Sequence, residues 1–140
     1  MDWKTSYNDI CAELRVLHIY EMEMRKRVEL AHGVMFSGEI QSSGSYCHMT
    51  LDKSIEHYNN AVDGLARVQA EVDRLDGVKT SMEKEMTKFS GLAHVIEYKR
   101  IVEGKTYRQM ASELGYSEQH LRNTACKERY KNRTHSANAS

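Results

Sequence analysis

The absence of proline throughout the 140 residues is the feature that most constrains this chain. Proline removes a backbone donor and breaks helices from within, so nothing of that kind stops a helix here. Apolar residues recur at three- and four-residue intervals over long stretches. Tyr7, Ile10, Leu14, Leu17, Met24, Val28 and Ala31 form one stripe, from about Trp3 to Gly33, with Glu21 as its polar interruption. Leu51, Ile55, Tyr58, Val62 and Leu65 hold a second register. Leu65, Val68, Val72, Leu75, Met82, Met86, Phe89, Ala93 and Ile96 hold a third, broken by Lys79. Such spacing places apolar side chains on one helix face. The second and third registers join with a slip near Leu65, as a stutter gives. Gly64 and Gly77 each cost about 1 kcal/mol relative to alanine in a helix. One long helix, or two broken near Gly77, therefore fits the pattern. The expected fold class is all-α.

Between the first two stripes, "HGVMFSGEIQSSGSYCHMT" holds three glycines and four serines. This composition predicts a loop at 32–50, with Met35, Phe36 and Ile40 pinning it to the scaffold. Residues 1–90 are then a helical, coiled-coil-like scaffold. Its third stripe fits the core of a compact helical bundle or an intermolecular coiled coil; because it is too long for the C-terminal module alone to cover, a homodimer or higher homo-oligomer is expected. Residues 91–133 divide into three short helices, about Leu92–Val102, Thr106–Leu114 and Ser117–Tyr130. Thr106 and Ser117 stand where N-caps belong. Residues 134–140 are small and polar and predict a disordered tail.

No apolar run approaches the roughly 20 residues that span a bilayer. The start "MDWKTSYNDI" lacks the basic and apolar regions of a secretory signal, so no membrane partner is expected and the location expected is cytoplasmic. Cys11, Cys47 and Cys126 are odd in number and widely spaced, which predicts free thiols. No C-x-x-C or H-x-x-x-H pattern occurs, and Cys47 beside His48 makes no site by itself. No metal, no cofactor and no enzymatic activity are expected, since no catalytic or phosphate-loop motif is present.

The zero net charge hides an asymmetry. Residues 1–94 hold 11 Lys/Arg and 15 Asp/Glu, while residues 95–140 hold 9 Lys/Arg and 5 Asp/Glu. A basic C-terminal part on an acidic N-terminal part fits a module for a polyanion.

Within that part, "GKTYRQMASELGYSEQHLRN" predicts two helices meeting at a sharp corner. A close helix crossing needs a small side chain, which Ala111 supplies. The turn that follows needs a residue tolerant of positive φ, which Gly115 supplies. Met110, Leu114, Leu121 and Ala125 close a small core. Leu121, Thr124, Ala125 and Glu128 share the inner side of the last helix, while Glu118, Gln119, Arg122, Asn123, Cys126 and Arg129 share the outer. Arginine can pair with guanine, and glutamine or asparagine with adenine. Ser117, Glu118, Gln119, Arg122 and Asn123 are therefore candidate base readers of double-stranded DNA. Lys105, Thr106, Arg108, Lys127, Arg129, Lys131 and Arg133 are candidate phosphate contacts, with Lys131 lying past the helix end.

The stretch "YKRIVEGKTYRQMASELGYSEQHLRN" resembles region 4 of bacterial sigma factors, whose helix-turn-helix reads promoter DNA. By position, Arg122 matches the arginine of the sigma recognition helix, and Ser117, Glu118, Gln119 and Asn123 its variable reading positions. Sigma factors often carry a basic residue where Glu118 stands. With the upstream helix, "IQSSGS" and the long acidic helix, nearly the whole chain is similar to ArpU/RinA-type regulators of phages of Gram-positive bacteria. That resemblance implies a phage or prophage transcriptional regulator, an activator of late genes, in a bacterial cytoplasm, with host RNA polymerase as a further partner. Two alternatives stand beside it: a phage terminase small subunit that selects DNA for packaging, and a helical protein-interaction module without DNA binding.

Overall fold

A computed structural model describes residues 2–37, 39–42, 45–48 and 50–137, with no side-chain description over 37–49. The described residues form five helices and one short β-hairpin: α1 (Trp3–Ser37), β1 (Glu39–Ser42), β2 (Ser45–His48), α2 (Leu51–Met86), α3 (Leu92–Ile101), α4 (Tyr107–Leu114) and α5 (Glu118–Ala137). They divide into two compact units, Met1–Lys79 and Thr80–Ser140, so that the division falls inside α2. Among the described residues, no helix is long and apolar enough to cross a membrane.

In the first unit α1 and the larger part of α2 run antiparallel. Leu14 packs with Val72 and Leu75, Gln69 lies 3.5 Å from Glu21, and the His32 and Tyr58 rings are 6.0 Å apart. Residue numbers thus rise on one helix as they fall on the other. The α1 side of this seam is the expected stripe, with Tyr7, Leu14 and Ala31 buried. Glu21 interrupts it without leaving its charge unpaired. Its carboxylate accepts from Arg25 at 2.7 Å and from Gln69, and the Arg25 bond holds it below the usual carboxylate range.

The α2 side departs from expectation. Its covered face is Ser54, Tyr58, Ala61, Leu65, Val68, Val72 and Leu75, a regular seven-residue repeat without a slip. Ser54 is buried, its hydroxyl donating to the Thr50 carbonyl at 3.1 Å. Leu51, Ile55 and Val62, expected in the core, are exposed at 64%, 40% and 37%. They lie within about 40° of one another around the helix. The portion of the third stripe at Val68, Val72 and Leu75 is covered by α1 of the same chain. Its burial therefore needs no second copy.

Of the two readings open at Gly77, the single long helix is the one observed, while two further expectations change. α2 runs unbroken through Gly64 and Gly77, where a Cβ at Gly64 would make only an ordinary 3.5 Å contact with Met24. The loop expected over 32–50 instead contains the last turn of α1 and the hairpin, in the register Glu39↔His48 to Ser42↔Ser45. A Ser–Gly pair stands between the strands in sequence, the two-residue spacing of tight hairpins. Phe36 is 74% exposed, with its ring tilted against that of His32 at 4.6 Å, so it does not pin the connection; the side chain of Ile40 lies outside the described residues. Finally, α5 continues to Ala137, past the expected end at Tyr130 and into the expected tail; residues 138–140 lie outside the description.

In the second unit each of α3, α4 and α5 contacts the other two. Ile96, Met110, Leu121 and Ala125 form the buried centre, with Leu92, Tyr107, Ala111 and Leu114 packed around it.

Candidate functional site

The site is built on the two connections of this three-helix unit. α4 begins with a capping box: Thr106 accepts from the Gln109 amide at 3.3 Å, and Gln109 accepts from the Thr106 amide at 2.9 Å. α5 begins on Ser117, whose hydroxyl accepts from the His120 amide at 3.1 Å. Between them Gly115 takes φ +74° and donates its amide to the Ala111 carbonyl. A Cβ at Gly115 would meet open space, so the demand for glycine comes from the backbone. A left-handed conformation costs other residues about 1–2 kcal/mol.

These joints turn one side of α5 inward and leave the other to solvent. Leu121 and Ala125 are buried, Thr124 and Glu128 half-buried, and Gln119, Arg122, Asn123, Cys126 and Arg129 exposed. Glu118 is half-buried. Gln119 and Asn123 lie nearest the outward midline and are bonded to each other, Nε2 to Oδ1 at 3.0 Å. Arg122 lies on the flank instead. Its Nη2 is 3.6 Å from Glu118, and its guanidinium carbon is 5.2 Å from the centre of the Tyr107 ring. The His120 ring stacks on Tyr116 at 5.2 Å.

Tyr107 also meets Arg100 of α3. The Arg100 guanidinium lies 5.0 Å from the ring centre, and its Nη1 donates to the phenol oxygen at 3.0 Å. Arg100, Lys105, Thr106, Tyr107, Arg108, Glu118 and Arg122 together line an open depression of about 600 Å³. The sequence reading missed Arg100 and Tyr107 as members of this group. Their contact joins the end of α3 to the start of α4, and residue spacing carries no signal of it.

Comparison of the chain with family models, curated proteins and solved structures gave no match.

The expected phosphate contacts separate into distinct environments. Lys105 is committed to a four-membered ion network, 2.6 Å from Glu113 and 2.9 Å from Glu103; Lys99 closes it, 3.1 Å from Glu113 and 3.4 Å from Glu103. The bonds to Glu113 and Glu103 raise the Lys105 pKa, and the Lys105 bond is the main cause lowering both glutamates. The Thr106 hydroxyl is used in the capping box. Arg108 lines the depression and forms no ion pair among the described residues. Lys127, Arg129, Lys131 and Arg133 are exposed on α5, and the longer helix places Lys131 on it rather than past its end. At about 100° per residue, Lys127 and Lys131 share one side of that helix, and Arg129 and Arg133 another. Among the described residues, no group of three His, Cys, Asp or Glu could hold a metal ion. Cys11 and Cys126 are free thiols; the side chains of Cys47 and His48 lie outside the described residues.

Proposed function

We propose that the chain is a sequence-specific DNA-binding regulator, with α4, the turn at Gly115 and α5 acting as a helix-turn-helix. The observation that carries this reading is the corner itself. Gly115 supplies the left-handed turn, half-buried Ala111 lies against the core, and Gln119 and Asn123 face outward in the first turns of α5. A helix presented this way enters the major groove with its N-terminal residues nearest the bases. Gln119 and Asn123 then read base edges, flanked by Ser117 and Glu118, while the basic side chains beside them meet phosphates. The similarity to sigma region 4 and to ArpU/RinA-type regulators supports a role in phage late-gene transcription, with host RNA polymerase as a partner. A second copy of the chain is the further partner in this reading, supported by the exposed Leu51, Ile55 and Val62.

Selection of duplexes from a random pool with the purified chain tests the proposal. The expected result is a defined site at which Gln119→Ala and Asn123→Ala each cost about 1–3 kcal/mol of discrimination. A chain that retains no duplex even at low salt is not a DNA-binding regulator. A selected site lying in packaging sequences, bound by a closed ring, would favour the terminase role instead.

A further inference from the structure

We propose that Arg100, Arg108 and Arg122 form a seat for one phosphate group, with the Tyr107 ring as the platform that positions Arg100 and Arg122. This deepens the DNA-binding reading, on which it depends only for the source of the phosphate. It also assigns Arg122 to the DNA backbone and leaves base reading to Gln119 and Asn123.

The first argument is charge. Four basic side chains line the depression, and Lys105 is neutralised by two glutamates. Arg100 and Arg108 have no carboxylate partner among the described residues. Arg122 has only Glu118, at a loose 3.6 Å. Three guanidiniums thus share one concavity with a single carboxylate. Like charges gathered this way repel one another, and an anion between them relieves that repulsion.

The second argument is positioning. Arg100 and Arg122 come from different helices, yet both stand within 5.2 Å of one ring centre. Their guanidinium carbons are therefore no more than about 10 Å apart. A cation over an aromatic face is attracted by the ring quadrupole. Here the same ring holds two cations that would otherwise separate, and its hydroxyl takes one Arg100 donor. The remaining donors of both arginines stay available. Guanidinium is a planar fork suited to paired oxygens, and a phosphodiester presents two non-bridging oxygens that two forks can share.

The test pairs two probes on the parent chain and four variants: Arg100→Ala, Arg122→Ala, Tyr107→Leu and Tyr107→Phe. The first probe is duplex DNA, a selected site and a scrambled one, over a salt series. Arg100→Ala and Arg122→Ala should each lower the salt slope by a part of the roughly 0.9 that one phosphate contributes, equally on both duplexes. Tyr107→Leu should lose both contributions, while Tyr107→Phe, which keeps the ring, should keep the Arg122 one. The second probe is inorganic phosphate, followed through the Nε–Hε NMR signals of Arg100 and Arg122. Both signals should shift together and saturate in the parent, and Tyr107→Leu should uncouple them. Saturation by phosphate in a chain that binds no duplex would keep the seat and remove the DNA reading. Slope losses without any response to phosphate would place the seat on the DNA backbone alone. Arg122→Ala losing affinity only for the selected site, Arg100→Ala leaving the slope unchanged, or a parent responding to neither probe would overturn the proposal.

Discussion

Lys105 shows how a residue's neighbours decide what its charge can do. By its place before the N-cap of α4 it reads as a phosphate contact, yet Glu113 and Glu103 already hold it at 2.6 and 2.9 Å. Its role in the fold is to tie the loop after α3 to the last turns of α4. Both glutamates have lowered pKa values, so the folded state favours their ionised forms. Their stabilisation is fully present above the unfolded carboxylate value of about 4.3 and is lost as pH falls through the lower folded values. Glu113→Gln should therefore melt below the parent at neutral pH, with the gap closing under acid conditions. Thermal melts across that range check this; a gap independent of pH would mean that shape, not charge, is what Glu113 contributes.

Among the elements, α1 and α2 illustrate selection between two apolar faces. α2 carries the seam of Ser54, Ala61, Val68 and Leu75 together with the separate stripe of Leu51, Ile55 and Val62. α1 packs on the first, where Leu14, Val72 and Leu75 make one cluster. Residues in contact show coupling energies of about 0.5–3 kcal/mol in double-mutant cycles. Leu14→Ala and Val72→Ala should therefore be coupled, with a coupling energy unchanged on dilution because both belong to one chain. Leu14→Ala by itself should cost about 2–5 kcal/mol. Denaturant melts of the two single variants and the double variant measure it; strictly additive losses would separate the two helices.

At the scale of the whole molecule, the second unit carries the candidate site, and the first unit offers apolar surface. Leu30, Leu51 and Ile19 are exposed at 71%, 64% and 63%. Under the proposed function that surface serves a second copy, and Ile55 and Val62 lie at the edge of the α2 seam. Substituting both with lysine should give a monomer that keeps the helical signal of the parent, because neither residue belongs to the buried cluster, and whose melting temperature no longer rises with concentration. Sedimentation over a concentration series decides the matter. A parent that is already monomeric at high micromolar concentration would leave this face without the assigned role.

What the sequence determined by itself was local. The absence of proline and the three- and four-residue period specify helices, because each residue advances about 100° and the pattern needs no distant partner to be read. The hydroxyls of Thr106 and Ser117 and the left-handed Gly115 are legible for the same reason, since each satisfies groups within a few residues. The short strands around residues 43 and 44 were hidden by serines and glycines that serve loops and tight hairpins alike. Tertiary structure alone decided which face of α2 is covered, since periodicity ranks apolar faces without naming the partner that fits. It also brought Arg100 and Arg122 to the Tyr107 ring. Those three side chains stand on three helices, and only the packing of Ile96, Met110 and Leu121 brings the helices together.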